Sequence, residues 1–126
     1  MKKITSDKAP QAIGPYSQAI SVNGLLFLSG QIPLVPETGA LLDGGIEAQT
    51  RLVIANIENV LAAAGCTASD VIKTTCFLTD MNDFAVFNEI YGEFFAGKPA
   101  RSCVAVSALP KGALVEIETI AQLPEA

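Results

Sequence analysis

Histidine is absent from this 126-residue chain. The commonest general base at neutral pH is therefore missing, and with it every Ser-His or Cys-His nucleophile pair. Acid–base chemistry falls to carboxylates, tyrosine, lysine or a bound water. Cysteine is scarce as well: Cys66, Cys76 and Cys103 form no CxxC pair, which excludes zinc sites of the usual spacing. The three thiols are expected to stay reduced, with Cys76 as plain core. No apolar run approaches the length that spans a bilayer. Met1-Lys2-Lys3-Ile4-Thr5-Ser6-Asp7 has lysines but no apolar stretch behind them, so it does not read as a secretory signal. A cytoplasmic protein without a membrane partner is the default. Basic clusters are also missing: net charge is −5 and no stripe of Lys or Arg interleaves with aromatics, which disfavours nucleic acid as a partner.

What is present is apolar. Half the residues are hydrophobic, enough for one domain over residues 1–126 with a real core. Lys2 to Thr5 reads as a short edge strand, followed by a loop with Pro10, Gly14 and Pro15 that ends in Tyr16. Ser17 to Val22 and Leu25 to Ser29 are strands joined by Asn23-Gly24, a strong hairpin signal. The second runs into Ser29-Gly30-Gln31, and glycine there marks a close approach of backbone to another chain or to a ligand. Ile46 to Ala64 reads as a helix with Val53, Ile54, Ile57, Val60 and Leu61 on its apolar stripe, Gly65 as left-handed cap, and Gln49, Glu58 and Asn59 on the solvated side. Val71 to Thr79 is a strand with Cys76 and Leu78 on one face and Val71 and Phe77 on the other. Asp80 to Asp83 supplies N-cap chemistry to a second helix, whose Phe84, Phe87, Tyr91, Phe94 and Phe95 read as core. Asn88 flanks that stripe. Ala96-Gly97-Lys98-Pro99 breaks the helix, and strands at Ala100 to Val106 and Val115 to Ile120 follow, with Gln122 onward as tail. Two helices cover only one face of such a sheet, so the second apolar face predicts a symmetric homo-oligomer.

Period-2 alternation places Arg101 and Cys103 on one face of their strand and Glu116 and Glu118 on one face of theirs. A guanidinium and carboxylates on neighbouring strands are costly to bury unless they pair with each other or with a ligand. The arrangement therefore reads either as a structural ion pair or as a pocket in which Arg101 grips a small anion and Glu116 moves a proton. Tyr16 is either a cap on the core edge or a pocket wall.

With these residues in hand, the chain resembles the RidA (YjgF) family of reactive intermediate deaminases. The markers are Ala12-Ile13-Gly14-Pro15-Tyr16, Ser29-Gly30-Gln31-Ile32-Pro33, Asn82-Asp83-Phe84, Pro99-Ala100-Arg101-Ser102-Cys103-Val104, Leu109-Pro110-Lys111-Gly112 and Glu116-Ile117-Glu118, in order along nearly the whole chain. The resemblance implies a chorismate-mutase-like α+β fold, a mixed sheet with two helices on one face, assembled as a homotrimer around a central barrel with clefts between subunits. It implies cofactor-free hydrolysis of 2-imino acids, tautomers of enamines such as 2-aminoacrylate, to 2-keto acids and ammonia. By the same resemblance Arg101 binds the substrate carboxylate and Glu116 holds and activates water. The backbone around Gly30 and Cys103 contacts substrate, and Tyr16, Ser29, Phe84 and Asn88 line the cleft. The chain departs from the family pattern at Ala96–Pro99, a short connection with lysine where many relatives carry an aromatic.

The chemistry stands beside the resemblance. An arginine fork matches a planar carboxylate with two parallel hydrogen bonds where lysine offers a point charge. A single carboxylate alternating between base and acid serves both water addition and nitrogen departure, contributing on the order of 10²–10⁴-fold. Cys103 has no dedicated base, so it is expected to be dispensable as a nucleophile, and Glu118 is expected to be structural. The competing function is a non-catalytic sensor or carrier of small carboxylates using the same cleft. Ribonuclease activity is disfavoured by the acidic charge and the missing histidine, and a chaperone-like role has no sequence support.

Overall fold

Burial along the last strand shows how the pattern becomes a fold. Between Val115 and Gln122 the odd-numbered residues Val115, Ile117, Thr119 and Ala121 are buried, and Glu116, Glu118, Ile120 and Gln122 are not. One face of the strand packs and the other stays open. In the computed structural model, which describes residues 1–124, this strand (β6) lies inside a six-stranded sheet. The others are β1 (Lys2–Ile4), β2 (Ala19–Val22), β3 (Leu25–Gln31), β4 (Val71–Leu78) and β5 (Ala100–Ala105), with helices α1 (Ile46–Ala63) and α2 (Phe84–Phe94). Strand order is β1-β2-β3-β6-β4-β5; only β4 and β5 run parallel, joined through α2. The fold is α+β with a mixed sheet and two helices.

Both helices cover the same face. α1 buries Val53, Ile54, Ile57, Val60 and Leu61, and α2 buries Phe87, Ile90 and Tyr91, in one cluster with Leu26, Leu28, Cys76, Leu78, Val115 and Ile117 of the sheet. Each fully buried aliphatic side chain contributes about 1.5–3 kcal/mol, so this layer carries most of the stability. Gly65 takes the left-handed conformation (φ 79°) just past the end of α1. Asp80 accepts a hydrogen bond from the Asn82 N–H in the 3₁₀ turn ahead of α2. The opposite face carries Ile20, Phe27, Phe77, Val104 and Ile120, with Phe27 40% and Val104 45% exposed. The second apolar face expected from sequence is therefore present. No helix among the described residues is long and apolar enough to cross a membrane.

Several expectations need correction. Gln49 is buried, not solvated: its amide donates to the Leu42 carbonyl and its oxygen accepts from the Leu114 N–H, tying the loop before α1 to the start of β6. Asn59 is half-buried and donates to the Lys8 carbonyl. Val71 packs on the same side as Cys76, because a register irregularity between Val71 and Lys73 shifts the parity of the strand. β2 starts at Ala19 rather than Ser17. Gln18 turns inward instead, accepting from the Ser6 N–H and donating to the Pro10 carbonyl. β6 extends through Gln122, which pairs with Leu25. Arg101 and the Glu116 pair are not on neighbouring strands, since β4 separates them.

Candidate functional site

On α2, residues 84, 88 and 91 follow helical spacing and so share one stripe. That stripe faces β5, the exposed edge strand, and holds Arg101 from three sides. Arg101 Nη1 donates to Asn88 Oδ1 at 2.6 Å. Its guanidinium carbon lies 4.8 Å from the Tyr91 ring centre and 5.5 Å from that of Phe84, within the range of cation–π attraction. Tyr91 is itself fixed: its hydroxyl is 2.6 Å from Thr74 Oγ1 in a buried bond, and Thr74 is the register partner of Arg101 across β4 and β5. The guanidinium plane is thus set by aromatic rings anchored in the core. No carboxylate pairs with it among the described residues, whose ion pairs are Arg51 with Glu47 and with Glu93. The structural ion pair to Glu116 or Glu118 is absent. A cavity of about 410 Å³ opens beside Arg101, lined by Asn88, Tyr91, Phe95, Lys98 and Pro99.

Cys103 follows Arg101 on the same face, registered against Cys76. Burial pushes the Cys103 thiol up while the Arg101 charge pulls it down. Cys76 is fully buried and its thiol is pushed up to about 12. Both thiols are therefore protonated and poor nucleophiles.

Glu116 belongs to the other face. It registers with Phe77, an odd offset from the Thr74 that registers with Arg101. Opposite it, β3 carries a bulge: the register passes from Leu28–Thr119 to Gln31–Ile117, so Ser29 and Gly30 together oppose Glu118. The Glu116 carboxylate lies over Gly30 so closely that a Cβ there would collide with it. This is the close approach that the glycine marked in sequence. Ser29 donates to the Ser17 carbonyl at 2.6 Å, and Tyr16 projects 51% exposed. Burial, then the Glu118 charge, raises the Glu116 carboxyl above its ordinary value. A cavity of about 440 Å³ is lined here by Ile13, Tyr16, Ser29, Gly30, Lys111 and Glu116. Lys111 holds a left-handed backbone (φ 58°) and donates to the Gly39 carbonyl at 3.1 Å.

The expected site residues therefore form two groups. Arg101, Asn88, Phe84 and Cys103 gather on the helical side; Glu116, Gly30, Ser29 and Tyr16 gather on the open side. Each group has the chemistry the other lacks. Sequence reasoning placed Tyr91 in the core alone, did not single out Thr74, and read Lys111 as part of a turn. The 84/88/91 spacing was the signal that Tyr91 shares a stripe with Asn88; the Thr74 contact had none.

A family model described as Endoribonuclease L-PSP matches residues 6–123. A RutC family protein of Pyrococcus horikoshii is 55% identical over 119 residues, 94% of each chain. The 2-iminobutanoate/2-iminopropanoate deaminase of Mus musculus is 49% identical over 121 residues, 95% of this chain and 90% of the mouse protein. The crystal structure of E. coli TdcF with bound serine superposes with a TM-score of 0.92 at 44% identity, covering 97% of this chain and 98% of that one. On the extent of the family match and these identities, the chain belongs to the Endoribonuclease L-PSP family, the RidA/YjgF family its motifs resemble.

Proposed function

We propose that this protein hydrolyses 2-imino acids to 2-keto acids and ammonia, at a site completed by a second copy of the chain. The observation that carries the reading is the split itself. An arginine fork with no carboxylate partner among the described residues and a carboxylate with a raised pKa occupy opposite faces of one sheet. A head-to-tail contact between copies brings the helical-side group of one subunit against the open-side group of the next. The exposed apolar residues Phe27 and Val104 and the unpaired edge of β5 supply the surface for it. We take that ring to be a homotrimer around a central barrel, as the resemblance implies. The name of the mouse relative supports the activity.

In this site Arg101 grips the α-carboxylate and leaves the C=N carbon over Gly30 and Glu116. Ionised Glu116 takes a proton from water as the oxygen adds to that carbon. The protonated carboxyl then returns the proton to nitrogen, giving the carbinolamine. Glu116 next relays the carbinolamine hydroxyl proton to that nitrogen as the C–N bond breaks, leaving ketone and ammonia. The raised pKa brings Glu116 nearer the working pH, which suits a group acting in both directions. Tyr16, Ser29, Phe84 and Asn88 shape the cleft, and backbone at Gly30 and Cys103 contacts substrate.

The test generates imino acids in situ by oxidation or dehydration of amino acids and follows imine decay with keto-acid formation. Protein-dependent acceleration is expected; decay at the spontaneous rate contradicts the reading. TdcF holding serine favours a second reading, in which the cleft only binds small carboxylates. That reading needs Arg101 and does not need Glu116.

A further inference from the structure

The cavity beside α2 holds two cations, Lys98 and Arg101, and no carboxylate among its lining residues. Neither cation has an ion-pair partner among the described residues. In a chain of net charge −5 this is a locally positive recess, walled by Tyr91, Phe95 and Pro99, and low-dielectric walls strengthen the field felt by an anion inside.

Lys98 is placed there by a defined turn. Its backbone is left-handed (φ 55°), and its N–H donates to the Phe95 carbonyl at 3.0 Å. A side chain is disfavoured in that conformation, more so ahead of Pro99. A glycine would adopt it freely. The cation on the other half-site differs, because the Lys111 ammonium is engaged by the Gly39 carbonyl. Lys98 is thus the second positive point left over once Arg101 has taken one carboxylate.

We infer that the cavity selects 2-imino acids bearing a second acid group on the side chain, the class formed when a dicarboxylic amino acid is oxidised at its α-amine. Arg101 takes the α-carboxylate with its fork, and Lys98 takes the side-chain carboxylate as a mobile point charge, which tolerates different chain lengths. The inference rests on the imine-hydrolysis reading above and names its substrate class. The reaction is unchanged: water adds, ammonia leaves, and the product is a dicarboxylic 2-keto acid.

The experiment compares kcat/KM for the imines of aspartate and glutamate with those of alanine and 2-aminobutyrate, in the parent protein, Lys98→Ala and Lys98→Arg. The parent is expected to hydrolyse the dicarboxylic class at least as efficiently as the monocarboxylic one. In Lys98→Ala the dicarboxylic-to-monocarboxylic ratio falls about fivefold, the worth of one partly exposed ion pair, and Lys98→Arg restores it. The parent ratio also falls as ionic strength rises. A ratio that Lys98→Ala leaves unchanged overturns the inference while leaving imine hydrolysis standing. Should no imine be hydrolysed, the underlying reading fails, and equilibrium binding of succinate against propionate decides the charge argument separately. A succinate preference lost in Lys98→Ala supports it, and equal binding in both proteins overturns it.

Discussion

Arg101 registers with Thr74 and Glu116 with Phe77 on the shared strand β4, an offset of three residues that puts the two side chains on opposite faces of the sheet. A single copy therefore cannot bring both to one substrate. The structure explains how each half is prepared, and each half yields its own expectation.

Arg101 is oriented by Asn88, Tyr91 and Phe84 rather than by a carboxylate. Replacing it with alanine or lysine is expected to lower kcat/KM for imine hydrolysis by roughly a hundredfold, the loss of a charge-assisted pair of hydrogen bonds. The fold, read by circular dichroism, is unchanged. Turnover near the parent value in either variant contradicts the anchoring role.

Glu116→Gln keeps the shape and removes the base, so kcat is expected to fall on the order of 10²–10⁴-fold with carboxylate binding retained. Weaker binding at undiminished turnover opposes this. Parent turnover declines as pH falls through the raised pKa of Glu116, and that limb disappears in the variant.

Stability follows the same titration with a definite sign. A carboxyl whose pKa is higher folded than unfolded is harder to ionise in the fold, so its ionisation costs stability as pH rises past its ordinary value of 4.5. Glu116→Gln is therefore expected to melt higher than the parent at neutral pH, with the gap closing below that value. A lower Tm for the variant at neutral pH, at equal oligomeric state, argues against a strained carboxylate.

The Thr74–Tyr91 bond couples the core to the arginine. Tyr91→Phe and Thr74→Val each strand one buried hydroxyl, at about 1–3 kcal/mol, whereas the double variant removes both partners and is expected to lose less than the sum. Additive losses in denaturant unfolding show that the two hydroxyls act independently.

The sequence made the elements legible because alternation and helical spacing are local. The hairpin at Asn23-Gly24 and the Gly65 cap stand where turn and cap chemistry put them, and the aromatic stripe of α2 stands where helical spacing put it. Gln49 was misread because its partners, Leu42 and Leu114, lie in a loop and at a distant strand start. Val71 was misread because a single irregularity inverts strand parity. The candidate site residues came as a set from the family motifs, and the close approach at Gly30 was legible from a glycine in a strand. Their division between two faces was not, because it depends on the cross-strand register, which sets Arg101 against Thr74 and Glu116 against Phe77 on the intervening β4.

Mixing the two inactive variants tests the shared site most directly. Arg101→Ala subunits still carry Glu116, and Glu116→Gln subunits still carry Arg101. After equal mixing and subunit exchange in a closed ring, about a quarter of the junctions join an intact arginine to an intact glutamate. Imine hydrolysis is expected to return to about that fraction of the parent rate. Exchange demonstrated by mass, with activity remaining at the level of the separate variants, contradicts a site shared between copies.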